Sequence, residues 1–171
     1  MKSALRCFAA ALLPLCVLLW LPMMPSLILM FGQEVRLAAR PTDPRDPFRG
    51  DYVALEFDIE GVANAFFSGD VEYGAECFIT LSPDVSGLWG PVAVSRAEPE
   101  EGVCLRGWVS VPRISDAEYR RVDFGPELSR FYVPEGTGLA LERAAREGRG
   151  YAATVRILRG RPAIVSLDVA Q

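Results

Sequence analysis

Between Val53 and Ile59 the apolar side chains fall on every second residue. Val53, Leu55, Phe57 and Ile59 lie on one side, Glu56 and Asp58 on the other. Successive side chains of an extended chain point to opposite faces, so a period of two marks a half-buried β-strand. The residues before it, Pro41-Thr42-Asp43-Pro44-Arg45-Asp46-Pro47-Phe48-Arg49-Gly50-Asp51-Tyr52, are charged and punctuated by prolines. Each residue ahead of a proline is held extended or in a turn, and Gly50 is free to take positive φ. The stretch therefore reads as a stiff, charged loop that launches a core strand.

Further along, the same reasoning finds more strands. Val35–Arg40 alternates well enough for a short first strand. Segments 76–81, 88–95 and 102–111 are β-rich, with Ser82-Pro83-Asp84 and 97–102 as turns between them. In 102–111 one face carries Val103, Leu105, Val109 and Val111, the other Cys104, Arg106, Trp108 and Ser110. Segment 61–73 reads as a loop or an irregular turn of helix. Residues 139–147 are rich in helix formers, with Thr137 as N-cap, a Glu142–Arg146 pair and Gly148 as the stop. Two last β-rich runs, 151–158 and 162–169, flank Arg159-Gly160-Arg161, a hairpin signature. The expected fold is mainly β, an antiparallel barrel-like or sandwich-like sheet with one short helix.

An N-terminal transmembrane helix is expected ahead of this domain. Residues 7–31 hold about 25 residues without a charge, the length needed to cross ~30 Å of hydrocarbon. Pro14, Pro22 and Pro25 kink such a helix without forbidding it. A cleaved signal peptide is the competing reading. It is disfavoured because the run is long and no small-residue pair precedes a polar start. Lys2 and Arg6 at the front place the N-terminus in the cytoplasm. The chain then divides into an anchor, 1–31, and an extracytoplasmic domain, 32–171, on a bacterial inner membrane, with the lipid bilayer a partner through 7–31.

Charge and inventory exclude several chemistries. All 22 acidic residues follow Phe31, so the domain is more acidic than the chain's net −4. That opposes nucleic-acid binding, which needs a basic face. The only lysine is Lys2 and there is no histidine, which removes a Schiff-base lysine, a histidine base and a histidine-bound metal. No metal or cofactor is implied. Cys77 and Cys104 fall in two expected strands and are either a disulfide or two buried thiols.

Two clusters are site-like. The first is Arg45, Asp46, Arg49, Asp51 and Tyr52 around Gly50, presented from the stiff loop; the competing account is local pairing that only braces the backbone. The second is Phe131-Tyr132-Val133-Pro134-Glu135-Gly136-Thr137-Gly138, a glycine-bearing approach to a helix start that resembles an anion nest. It lacks a Gly-Lys-Ser/Thr element and carries a repelling Glu135, so a tight strand-to-helix turn capped by Thr137 is the favoured account.

The block 41–57 resembles the hallmark of the bacterial GDYXXLXY family, and 131–138 resembles its second recurrent block. This chain has Phe57 where the family pattern has tyrosine, and since Phe57 alternates with Val53 and Leu55 a packing role is the simpler account. The resemblance implies a one-pass anchored β-domain of unassigned activity that keeps company with a polytopic membrane protein. Three functions follow. The first is a binding domain that uses Arg45, Arg49, Asp51, Tyr52, Tyr132 and Glu135 on a membrane-protein partner or cell-envelope ligand. The second is an envelope hydrolase with Asp51 and Glu135 as its carboxylate pair. The third is a purely structural envelope protein.

Overall fold

The computed structural model describes residues 12, 14, 16–42, 52–68, 71–110, 119–132, 147 and 149–169. Within them a helix, α1 (Met23–Phe31), leads directly into β1 (Gln33–Thr42). Then come β2 (Tyr52–Phe57), β3 (Gly61–Ala63), β4 (Glu76–Pro83), β5 (Trp89–Ser95), β6 (Val103–Ser110) and β7 (Tyr119–Asp123). A single-turn helix α2 (Pro126–Ser129) feeds β8 (Arg130–Tyr132), and β9 (Tyr151–Leu158) and β10 (Arg161–Val169) close the chain.

These strands form two five-stranded sheets. The order is β10-β9-β1-β2-β8 in the first and β3-β7-β6-β4-β5 in the second. Every pairing within both sheets is antiparallel. Alternation along the strands decides what they bury. Val35, Leu37 and Ala39 of β1, Val53, Leu55 and Phe57 of β2, and Ala153, Val155 and Ile157 of β9 face Cys77, Ile79, Leu105, Val109 and Val122 of the other sheet in one core. Phe57 is 1% exposed, so its position in the motif is a packing position.

The β9–β10 hairpin fastens one sheet to the other. Its turn residues Arg159 and Gly160 both have positive φ, 49° and 72°, as a two-residue turn between twisted strands requires. The Gly160 carbonyl accepts the Arg106 N–H at 2.9 Å. A Cβ on Gly160 would lie 3.1 Å from Arg106 Cβ, so the close approach of hairpin to β6 needs glycine as much as the φ does.

The mainly β expectation holds, and the strands anticipated around 35–40, 53–59, 76–81, 88–95, 102–111, 151–158 and 162–169 are present with shifted ends. The second strand ends at Phe57, and Ile59 is buried instead from a 3-10 turn over Asp58–Glu60. Segment 61–73 contains β3 and a second 3-10 turn, Asn64–Phe66. The helix expected at 139–147 lies outside the described residues save Glu147.

The transmembrane helix is corrected. Among the described residues no helix is long and apolar enough to cross a membrane. A turn at Leu21–Pro22 precedes α1, which has nine residues, about 13 Å of rise against the ~30 Å of a bilayer core. The end of α1 is docked on the first sheet: Ile28 is buried, and Arg156 of β9 donates to the Leu29 carbonyl while also reaching Glu34. An uncharged run has span length only if it is one helix, and here proline interrupts it and the domain takes its last turn. The anchored reading falls with the helix. So do the inner-membrane placement, the cytoplasmic N-terminus, the bilayer as partner through 7–31 and the polytopic membrane partner.

Candidate binding groove

In the first sheet β10 and β8 are the two edges, and both line one groove of about 670 Å³. Arg130, Phe131 and Tyr132 come from β8, and Arg161, Pro162, Ala163 and Ile164 from β10. Arg106 and Trp108 of β6, Phe124, and Met24, Pro25 and Ile28 of α1 line it as well. The volume is that of a small-molecule or short-segment site.

Local sequence explains how β8 arrives there. Gly125 has φ 81° and its N–H is taken by Asp123 Oδ1 at 2.8 Å, which turns the chain out of β7. Pro126 then starts α2, where its missing N–H costs no bond. Leu128 is buried and pins the turn to the core. Arg130 and Tyr132, two apart on a strand, share a face. Tyr52 pairs directly with Tyr132 across β2 and β8.

One aromatic pair and two aromatic–cation contacts shape this surface and its neighbourhood. The Tyr52 and Tyr132 rings lie 6.0 Å apart, tilted by 53°, and the Arg130 guanidinium stands 5.7 Å from the Tyr52 ring centre. Arg106 lies 5.4 Å from the Trp108 ring centre and meets the Glu76 carboxylate. Its Nε is shielded from solvent without hydrogen-bond geometry to any partner. Arg130 and Arg161 have no carboxylate partner among the described residues, and Glu127, the one acid among the described lining residues, is ion-paired with neither.

Elsewhere arginines are consumed by the fold. Arg121 of β7 donates from one nitrogen to Glu60 at 2.7 Å and meets Glu56 at 2.8 Å, tying the second sheet to the first. Burial pushes the Glu60 carboxyl above the ordinary carboxylate value, against the downward pull of the Phe57 N–H and of Arg121. Arg120 donates to the Val71 carbonyl and covers the Phe67 ring.

Of the residues singled out from sequence, Tyr52 and Tyr132 are brought together at the groove's rim. Arg45, Arg49, Asp51 and Glu135 lie outside the described residues. The carboxylate pair of the hydrolase reading, Asp51 and Glu135, thus lies outside the described residues, and among the described residues Glu56 and Glu60 share a carboxylate site but are held by Arg121. Cys77 and Cys104 are both free thiols. Cys77 pairs with Gly107 and Cys104 with Thr80, three steps away along the same ladder. An odd separation puts the two on opposite faces of the sheet, which rules out the disulfide in this arrangement. Burial raises both thiols, Cys77 to about 11. Among the described residues no cluster of three or more metal-binding side chains occurs.

Sequence reasoning missed Arg130, Arg161, Phe124 and Glu127 as groove residues. It did assign Arg106 and Trp108 to the outer face of their strand, which is the signal that points here. A family model described as GDYXXLXY protein matches residues 14–167. No curated protein and no solved structure matches the chain.

Proposed function

The chain belongs to the GDYXXLXY family, and from that premise we propose that the protein is a binding domain whose groove, lined by β8 and β10, takes an anionic ligand with an apolar body. One observation carries this reading: Arg130 and Arg161 project into a groove rich in aromatic side chains with no carboxylate partner among the described residues. In a chain of net charge −4, Arg130 and Arg161, from two separate strands, are the groove's remaining cations, Arg106 being already paired with Glu76, and an acidic ligand is drawn to them. The apolar half of the site is Trp108, Phe124, Phe131, Tyr132 and Ile164. Tyr52 belongs to it as a positioning residue, its ring lying under Arg130.

The test uses 8-anilinonaphthalene-1-sulfonate, which joins one sulfonate to two aromatic systems. Its fluorescence titration is compared between the wild type and Arg130→Ala/Arg161→Ala. Charge-assisted bonds of about 1.5–3 kcal/mol predict affinity at least ~10-fold weaker in the double variant, with weakening by sulfate in the wild type alone. Equal affinity in both proteins refutes the reading.

A further inference from the structure

We infer that the ligand of this groove is a single-chain lipid anion, a long-chain carboxylate whose head meets the arginines and whose hydrocarbon tail lies on the apolar lining; the inference rests on the binding reading above. What the lining lacks decides the class. Among its described residues there is no serine, threonine, asparagine or glutamine, and the one side-chain hydroxyl is the phenol of Tyr132. Pro25 and Pro162 stand in the same lining without a backbone N–H. A sugar, a nucleotide or a peptide carries polar groups along its whole length, and each one desolvated here without a partner weakens binding. A ligand with all its polarity at one end avoids that loss.

The apolar part of the lining is open to such a tail. Met24, Trp108 and Tyr132 are 40%, 40% and 60% exposed, three large side chains from three separate elements left uncovered around one cavity. Uncovered apolar surface gathered in a groove marks a ligand site. Burying it against hydrocarbon is favourable in proportion to area and needs no directed bond. Met24 is unbranched and adapts to a flexible chain more readily than a branched residue would. Phe124, Phe131 and Ile164 add to the same lining.

Charge then sets the head group. Arg106 is met by Glu76, which leaves Arg130 and Arg161 against Glu127 in the described lining, a net of one positive charge. A singly charged head balances it. A phosphate dianion or a polyacidic chain brings further negative charge, which Glu127 repels. A carboxylate also matches the planar fork of an arginine, accepting two parallel hydrogen bonds from it.

The experiment titrates octanoate, decanoate and dodecanoate, all below micelle formation, against the protein loaded with the anilinonaphthalene sulfonate. Affinity is expected to rise about two- to fourfold for each added methylene. Dodecyltrimethylammonium, which inverts the charge, and glucuronate, which replaces the tail by hydroxyls, should each displace the dye at least ~10-fold more weakly than dodecanoate. Dodecanoate should likewise bind Arg130→Ala/Arg161→Ala at least ~10-fold more weakly than the wild type. A brominated chain locates the tail. In Trp20→Phe/Trp89→Phe, Trp108 is the one tryptophan left of three, and ω-bromoundecanoate should quench its fluorescence. Affinity independent of chain length, equal displacement by the trimethylammonium or by glucuronate, undiminished dodecanoate binding in the double arginine variant, or an unquenched Trp108 overturns the lipid-anion assignment. If dye binding still depends on Arg130 and Arg161 in that case, the groove remains a site for another anion; if it does not, the binding reading has failed as well.

Discussion

At Arg121 one guanidinium nitrogen meets two carboxylates, Glu56 from the opposite sheet and Glu60 from the 3-10 turn that leads into β3. At Arg130 and Arg161 no carboxylate is in reach among the described residues, and the neighbours are aromatic rings and strand edges. The contrast lies in what surrounds the cation. Arg121 neutralises acids that the fold itself brings together, one of them on a half-buried turn, and is spent on stability. The groove arginines neutralise nothing within the described fold and leave their hydrogen-bonding capacity for something that arrives.

Mutation of the two classes should separate those roles. Arg121→Ala leaves Glu56 and Glu60 facing each other without a counter-charge. Removing one partner of a partly buried pair predicts a loss of about 2 kcal/mol in urea unfolding, whereas Arg130→Ala/Arg161→Ala should stay within about 0.5 kcal/mol of wild type. A large loss in the double variant instead would erase the distinction.

A second handle is pH. Because burial raises the Glu60 carboxyl, the folded state holds its proton more tightly than the unfolded chain does. The stability this contributes is fully present below the unfolded value near 4.5 and is lost as pH rises through the folded value. The stability of wild type minus that of Glu60→Gln should therefore decline from acid toward neutral pH in unfolding curves. A difference that grows toward neutrality means the attraction of Arg121 outweighs burial.

The smallest effect concerns Tyr52. Tyr52→Ala removes the ring beneath Arg130 and the cross-strand partner of Tyr132, each worth under about 1 kcal/mol at an exposed site. Dye affinity should drop by about two- to five-fold, with Tyr52→Phe close to wild type because the ring rather than the hydroxyl holds the cation. A Phe variant as weak as the Ala variant would shift the role to the hydroxyl.

How much of this was readable in the chain follows from the range of the interactions. Strands of six or more residues with one buried face announce themselves by alternation, as Val53, Leu55 and Phe57 do. β3, β7 and β8 do not. Tyr119–Asp123 buries only Val122, so its strand character comes from pairing with β6 and β3 rather than from its own pattern. The 7–31 run was misread because its prolines were visible but taken as kinks, and the sequence does not show that the chain turns at Leu21–Pro22 or that Ile28 is spent on the domain. Tyr52 and Tyr132 were both visible as candidates, on separate motifs. Their adjacency is set by a register between residues eighty apart in sequence, and the groove by strands and turns distant in sequence, neither of which a local pattern encodes.

One pairing also governs when this protein can become itself. β1 occupies the middle of the first sheet, and its longer ladder is with β9, Val35 opposite Val155 and Gln33 opposite Ile157. At ribosomal rates of ~5–20 residues per second, β9 follows β1 by roughly 6–24 s. For that interval a strand destined for the centre of a sheet is an edge, with half its backbone unanswered. The pairing of the chain's two ends thus comes late, and the nascent chain has its longest exposure to wrong partners where the finished protein is most thoroughly enclosed.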